Sequence, residues 1–219
     1  MIKGAIFDVD GTLLDSMHIW DTVGSEYLIS QGCTPEKNLN ELFKTFSLSQ
    51  AAEYFIKNYG INKSVDEICN GVNAMVEDGY KNQVLIKPGI ETLLYKLKQN
   101  GVKMCVATAT DKYLVEAALQ RNGILSYFDE IFTCPDLGYG KDEPIIYREC
   151  LKFLGTKREN TLVFEDVLYA VNTAKNDGFN VVAVYDKHEK NQTQLIKTAD
   201  IFLPNYTDLD EFWEYAFNL

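Results

Sequence analysis

Solid apolar runs alternate along the chain with longer stretches whose apolar residues recur every three or four positions. The runs are Ile2 to Phe7, Val102 to Ala107, Thr161 to Phe164 and Val181 to Val184. None shows the polar–apolar alternation of a strand with one wet face, so each reads as a strand covered on both sides. Between them the spacing is helical. Ile90, Leu93, Leu94 and Leu97 share one helix face, and Asn100-Gly101 supplies the stop. Leu114, Ala117, Ala118 and Arg121 repeat the pattern up to Asn122-Gly123, and residues 143–154 and 168–177 read as two further helices. Strands separated in this way by helices predict an α/β fold, a doubly wound parallel sheet with helices on both faces. Beyond Asp200 the pattern predicts a short edge strand, Ile201 to Leu203, and a last helix from Asp208 to Ala216.

Residues 16–84 break this rhythm. Ser16 is a candidate N-cap for a helix running to Gln31, and helical spacing returns at 39–45, 48–59 and 64–82. No strand-like run lies among them. The expected organisation is a core of residues 1–15 and 85–219 with an all-helical, four-helix unit, 16–84, inserted after the first strand. The connections fall at Asp15-Ser16 and Gln83 to Lys87, just ahead of Pro88-Gly89.

Composition narrows the field of partners. With 46% hydrophobic and 24% charged residues in a chain of 219, the sequence is too apolar for disorder and long enough for one core plus an insert. A net charge of -11 argues against nucleic acid and against anionic membranes, both of which select basic surfaces. It leaves room for a small anionic substrate, because a bound cation reverses the field locally. No apolar run approaches the roughly 20 residues of a membrane span. The stretch from Met1 to Leu14 is interrupted at Asp8 and lacks the apolar core of a secretory signal. The 5 cysteines are widely spaced and form no C-x-x-C pair, as in a reducing compartment. A cytoplasmic protein, monomeric or a small homo-oligomer, is therefore expected.

The chemistry-bearing residues cluster where apolar runs end. Asp8-Val9-Asp10-Gly11-Thr12 follows the first run, and Glu165-Asp166 follows Leu162-Val163-Phe164. Ligands of a parallel sheet gather at the carboxyl ends of its strands, so four carboxylates are expected to converge there. Such a cluster is unfavourable unless a proton or a cation relieves it, and an all-oxygen set without His or Cys suits Mg²⁺ better than zinc. Thr108 ends the run Met104 to Ala107, and its hydroxyl with the backbone N–H groups that follow suits a phosphoryl oxygen. Lys141, after Gly138-Tyr139-Gly140, offers a cation to the same group. A nucleophilic carboxylate, an acid/base, a hydroxyl, a lysine and a metal make a phosphoryl-transfer set.

These residues resemble the haloacid dehalogenase superfamily of hydrolases, in the branch with a helical cap inserted after the first motif, and the likeness spans nearly the whole chain. The first motif is matched by Asp8-Val9-Asp10-Gly11-Thr12-Leu13-Leu14-Asp15-Ser16, the second by Thr108, the third by Lys141 with Pro144 and Tyr147 behind it, and the fourth by Glu165-Asp166. The resemblance implies that Asp8 attacks phosphorus and that Asp10 is the general acid and then base. It implies that Gly11, Thr108, Ala109 and Lys141 receive the phosphoryl group. It further implies that Mg²⁺ is held by Asp8, by Asp10 or the backbone about Val9 and Asp10, and by Asp166 with Glu165 beside it. Because Asp10 is present, phosphate-ester chemistry is favoured over dehalogenation, and the expected activity is that of a phosphatase on a small phosphorylated metabolite. A phosphomutase like beta-phosphoglucomutase and a non-catalytic phosphate-binding protein are the alternatives. Against the mutase, residues 16–84 contain no Arg, and Trp20 stands where that branch carries a His in its first cap helix. Further departures are Ala109, Asp142, Val167 and Ala170, which replace residues common in relatives. His18 and Trp20 read as packing residues of the helical unit, and Lys44, Thr45, Ser47 and Ser49 as weaker candidates for the cleft.

Overall fold

The computed structural model describes residues 1–43 and 46–219, the Glu41 side chain excepted. Six strands form one all-parallel sheet: β1 (Gly4–Phe7), β2 (Lys103–Thr108), β3 (Ile131–Thr133), β4 (Thr161–Glu165), β5 (Asn180–Val184) and β6 (Ile201–Leu203). Their order is β3-β2-β1-β4-β5-β6. The solid apolar runs are explained by two cores, one on each face. Ala5 and Phe7 of β1 enter one core, and Ile6 between them enters the other. On the first face the Phe7 ring stacks on Phe164 of β4, 4.2 Å between centroids.

After β1 come α1 (Met17–Ser30), α2 (Leu39–Phe43), α3 (Leu48–Tyr59) and α4 (Val65–Asp78), then a π-helix, Gly79–Gln83. The starts of α3 and α4 follow from sequence: Ser47 with Gln50, and Ser64 with Glu67, form capping boxes that satisfy otherwise unpaired N–H groups. Ser16 precedes α1 but caps nothing, because its hydroxyl turns to Asp10 instead. The chain leaves the sheet and returns to it side by side. Leu14 pairs with Ile86 in an antiparallel bridge, flanked by Asp15 N–H to Leu85 O at 3.0 Å and Lys87 N–H to Leu13 O at 2.9 Å.

The remaining helices are α5 (Ile90–Gln99), α6 (Lys112–Arg121), α7 (Cys134–Leu137), α8 (Ile145–Leu154), α9 (Leu168–Asn176), α10 (Gln192–Thr198) and α11 (Asp210–Asn218). Helices α5, α6 and α11 cover the Phe7 face, while α8, α9 and α10 cover the Ile6 face. Strand β3 and the single-turn helix α7 have no counterpart in the hydropathy reading. Successive strands run outward from β1 to β3, and the chain then crosses to β4 on the other side of β1. That reversal opens a crevice at the carboxyl ends of β1 and β4, where ligands of doubly wound sheets bind. No helix among the described residues is long and apolar enough to cross a membrane.

Candidate active site

Strand register brings the acids together. Phe7 is level with Phe164, and the Asp8 N–H donates to the Phe164 carbonyl at 3.0 Å, so Asp8 emerges beside Glu165. Side-chain oxygens of Asp8, Glu165 and Asp166 all lie within 4.8 Å of one another, and all three residues are buried. Gly11 makes room for this. Its φ of +80° suits glycine, and a Cβ there would stand 2.1 Å from Asp166 Oδ2. Lys141, itself buried, reaches in from the loop before α8. Its Nζ donates to Asp8 Oδ1 and, at 2.7 Å, to Glu165 Oε1, which also accepts the Tyr147 hydroxyl at 2.7 Å.

The charges oppose one another strongly. Burial raises the Asp8 carboxyl above its ordinary range, with Lys141 pulling against that rise. Burial pushes Glu165 up to about 7, again opposed by Lys141. Asp166 is raised well above a normal carboxylate by burial and then by Asp8 and Glu165. Burial disfavours the Lys141 charge, yet Asp8 and Glu165 hold its pKa well above the ordinary lysine value. One lysine cannot balance three carboxylates. Two buried oxygens, Glu165 Oε2 and Asp166 Oδ2, also lack any hydrogen-bond partner. An all-oxygen set with unpartnered, over-negative carboxylates fits a hard divalent cation.

Asp10 stands apart from this cluster. Its Oδ1 accepts the Ser16 hydroxyl at 2.5 Å and the Tyr80 hydroxyl, and its Oδ2 accepts Thr110 Oγ1 at 2.7 Å. All four acids line one cavity, as expected, while the oxygens within 4.8 Å of one another are those of Asp8, Glu165 and Asp166. After Phe7 the chain is no longer strand but a tight turn in which Thr12, Leu13 and Leu14 all donate to the Val9 carbonyl, and both Asp8 and Asp10 line the cavity above it. Thr108 ends β2, fully buried, and its hydroxyl accepts the Thr110 N–H at 3.0 Å, while Ala109 and Thr110 line the cavity above the acids.

Sequence reasoning missed Thr110 and Tyr80. Thr110 carried a signal, as a second hydroxyl two residues past Thr108 at a strand end. Tyr80 carried none: it lies 70 positions from Asp10 and sits in the π-helix, a distortion frequent at functional sites. Trp20 is more than packing, since its Nε1 donates to the Tyr80 hydroxyl at 2.6 Å and it lines the cavity. Ser47 lines the cavity too, whereas Lys44 and Thr45 lie outside the described residues.

Residues 5–184 match the family model for haloacid dehalogenase-like hydrolases. The chain belongs to that family. Among curated haloacid dehalogenase-like relatives, it is 26% identical to validoxylamine A 7'-phosphate phosphatase of Streptomyces hygroscopicus, covering 95% of this chain and 96% of that protein. It is 24% identical to hexitol phosphatase B of Escherichia coli, over 95% and 94% of the two chains. Its fold is similar to that of the beta-phosphoglucomutase of Clostridium difficile, with a TM-score of 0.81 at 22% identity over 100% and 98% of the chains.

Proposed function

We propose that this haloacid dehalogenase-like enzyme is a Mg²⁺-dependent phosphatase that hydrolyses a small phosphomonoester through a phosphoryl group carried on Asp8. It is a hydrolase of phosphoric monoesters, as the phosphatases it is similar to are named. The observation that carries the reading is the buried set Asp8, Glu165, Asp166 and Lys141 at the switch point of the sheet, with Asp10 held alongside by three hydroxyls.

Asp8, Asp166 and Glu165 would hold the cation, which neutralises charge on the phosphoryl oxygens when bound. The Asp8 carboxylate attacks phosphorus, and the bond to the leaving oxygen breaks as Asp10 gives that oxygen its proton. Asp10, then ionised, takes a proton from water, whose oxygen attacks the phosphoryl group and frees Asp8. Lys141 faces the reacting oxygens and stabilises charge as it builds there; the Thr108 hydroxyl and the Ala109 N–H at the end of β2 take the phosphoryl oxygens with it. Tyr147 and Lys141 fix Glu165 in place. The helical unit, which we place at 16–84, covers the site and keeps bulk water out.

Phosphate release from a panel of phosphorylated metabolites tests this, with Asp8→Asn as the control. Mg²⁺-dependent release that the control abolishes is expected. Release unchanged in Asp8→Asn overturns the nucleophile, and conversion of a hexose phosphate to its isomer without phosphate release would make the enzyme a mutase.

A further inference from the structure

The cavity above the acids encloses about 210 Å³ and has two unlike ends. Its floor is the charged set already described. Its wall, facing the floor from the helical unit, is apolar and aromatic: Trp20 and Val23 of α1, Phe43 of α2, Leu48 and Phe55 of α3, and Val72 of α4. Among the described residues the polar groups of that wall are few: Ser47, whose hydroxyl accepts the Gln50 N–H in the α3 cap, Asn40, which donates to a backbone carbonyl of α1, and Asp21, which pairs with His188.

Charge points the same way as polarity. Among the described residues Lys141 is the one cation lining the cavity, and it is committed to Asp8 and Glu165 on the floor. Among the described residues, the charged group on the wall is the carboxylate of Asp21. Residues 16–84 contain no arginine, the side chain best shaped to take a second phosphate bidentately. A substrate with a second anionic group would desolvate that group against aromatic rings and Asp21. A polyhydroxylated one would lose water from hydroxyls that meet few partners. An apolar group gains by leaving water there.

We propose that the leaving group this enzyme selects is uncharged and apolar, of the size of one ring or a short branched chain, as in an arylmethyl or alkyl monophosphate. The inference rests on the phosphatase reading above and deepens it. The phosphoryl end meets the acids and Lys141, and the carbon end fills the wall between Trp20, Phe43, Leu48 and Phe55. A volume of about 210 Å³ suits a group of that size, below the roughly 300–1,000 Å³ of pockets for drug-sized ligands.

The test compares kcat/KM, with Mg²⁺ present, for benzyl phosphate, glycerol 3-phosphate and fructose 1,6-bisphosphate, with p-nitrophenyl phosphate as a probe of activity itself. Benzyl and glycerol phosphates both release primary alcohols, so their difference reports the wall more than the chemistry. Benzyl phosphate should lead glycerol 3-phosphate by roughly tenfold or more, the discrimination an apolar pocket gives for about one buried group, with the bisphosphate slowest. Leu48→Gln places an amide in the wall at a half-buried helix-start position and should shrink that lead about threefold, while Leu48→Met should preserve it. A lead for glycerol 3-phosphate or the bisphosphate overturns the inference and leaves the phosphatase reading standing. So does a benzyl preference that Leu48→Gln does not move. No hydrolysis of any of the four overturns both.

Discussion

Replacing Tyr80 with Phe isolates one contact between the helical unit and the catalytic core. Tyr80 is fully buried in the π-helix, its hydroxyl donates to Asp10 Oδ1, and it accepts the Trp20 indole N–H at 2.6 Å. The substitution deletes one oxygen and leaves the ring in place. Asp10 then keeps two of its three hydroxyl donors, Ser16 and Thr110, both anchored outside the π-helix. A hydrogen bond to a charged group is worth about 1.5–3 kcal/mol. If the contact fixes Asp10 for proton transfer, kcat falls roughly tenfold to hundredfold, at about 1.4 kcal/mol per decade. Tyr80 does not line the cavity, so KM should stay within about twofold. The melting temperature should also fall by about 4–8 °C, from about 2 kcal/mol lost in a chain of this length. Steady-state kinetics and a thermal melt of purified protein read both quantities. A kcat within twofold of wild type beside a lowered melting temperature would reduce Tyr80 to packing. An unchanged melting temperature and kcat together would refute the contact.

The other tests follow from the acidic cluster. Lys141→Met should lower kcat by about 10²–10³-fold, as when one preorganised donor at the reacting oxygens is lost, which stopped-flow or steady-state assays will show. It should also destabilise the metal-free protein by about 3–5 kcal/mol, since it leaves Asp8 and Glu165 buried without their cation, and a denaturant titration measures that. Gly11→Ala should lose most activity and Mg²⁺ affinity by calorimetry, because its Cβ would meet Asp166 Oδ2 at 2.1 Å. In chelated protein, stability should fall as pH rises from 4.5 to about 7. Burial lifts folded Glu165 to about 7 from the 4.5 of the unfolded chain, so over that window the folded state binds the extra proton. Melts across that range with a chelator should show the slope, and saturating Mg²⁺ should remove it, as a cation favours the ionised carboxylates.

What the sequence makes legible here is what is local and buried. The central strands are apolar on both faces because two cores meet at the sheet, so Ile2 to Phe7 and Thr161 to Phe164 stand out without any alternation. Acids that follow such runs must emerge at the sheet's carboxyl edge, which made Asp8 and Glu165-Asp166 readable together with Lys141. Asp10 follows the same run into the cavity, and Gly11, at φ +80°, closes a turn straight after β1. The same turn lets the Asp10 carboxylate meet Ser16, six residues on, and Thr110 and Tyr80 from distant parts of the chain. No periodicity encodes that meeting. It is produced when the bridge from Leu14 to Ile86 closes the base of the helical unit and sets Tyr80, a few residues before that bridge, over the turn. Chemistry at the acids is therefore written in short motifs. The Tyr80 hydroxyl on the acid/base, and the apolar wall that selects the leaving group, are written in how the insert docks, and substitutions there should alter kcat and specificity while leaving every motif intact.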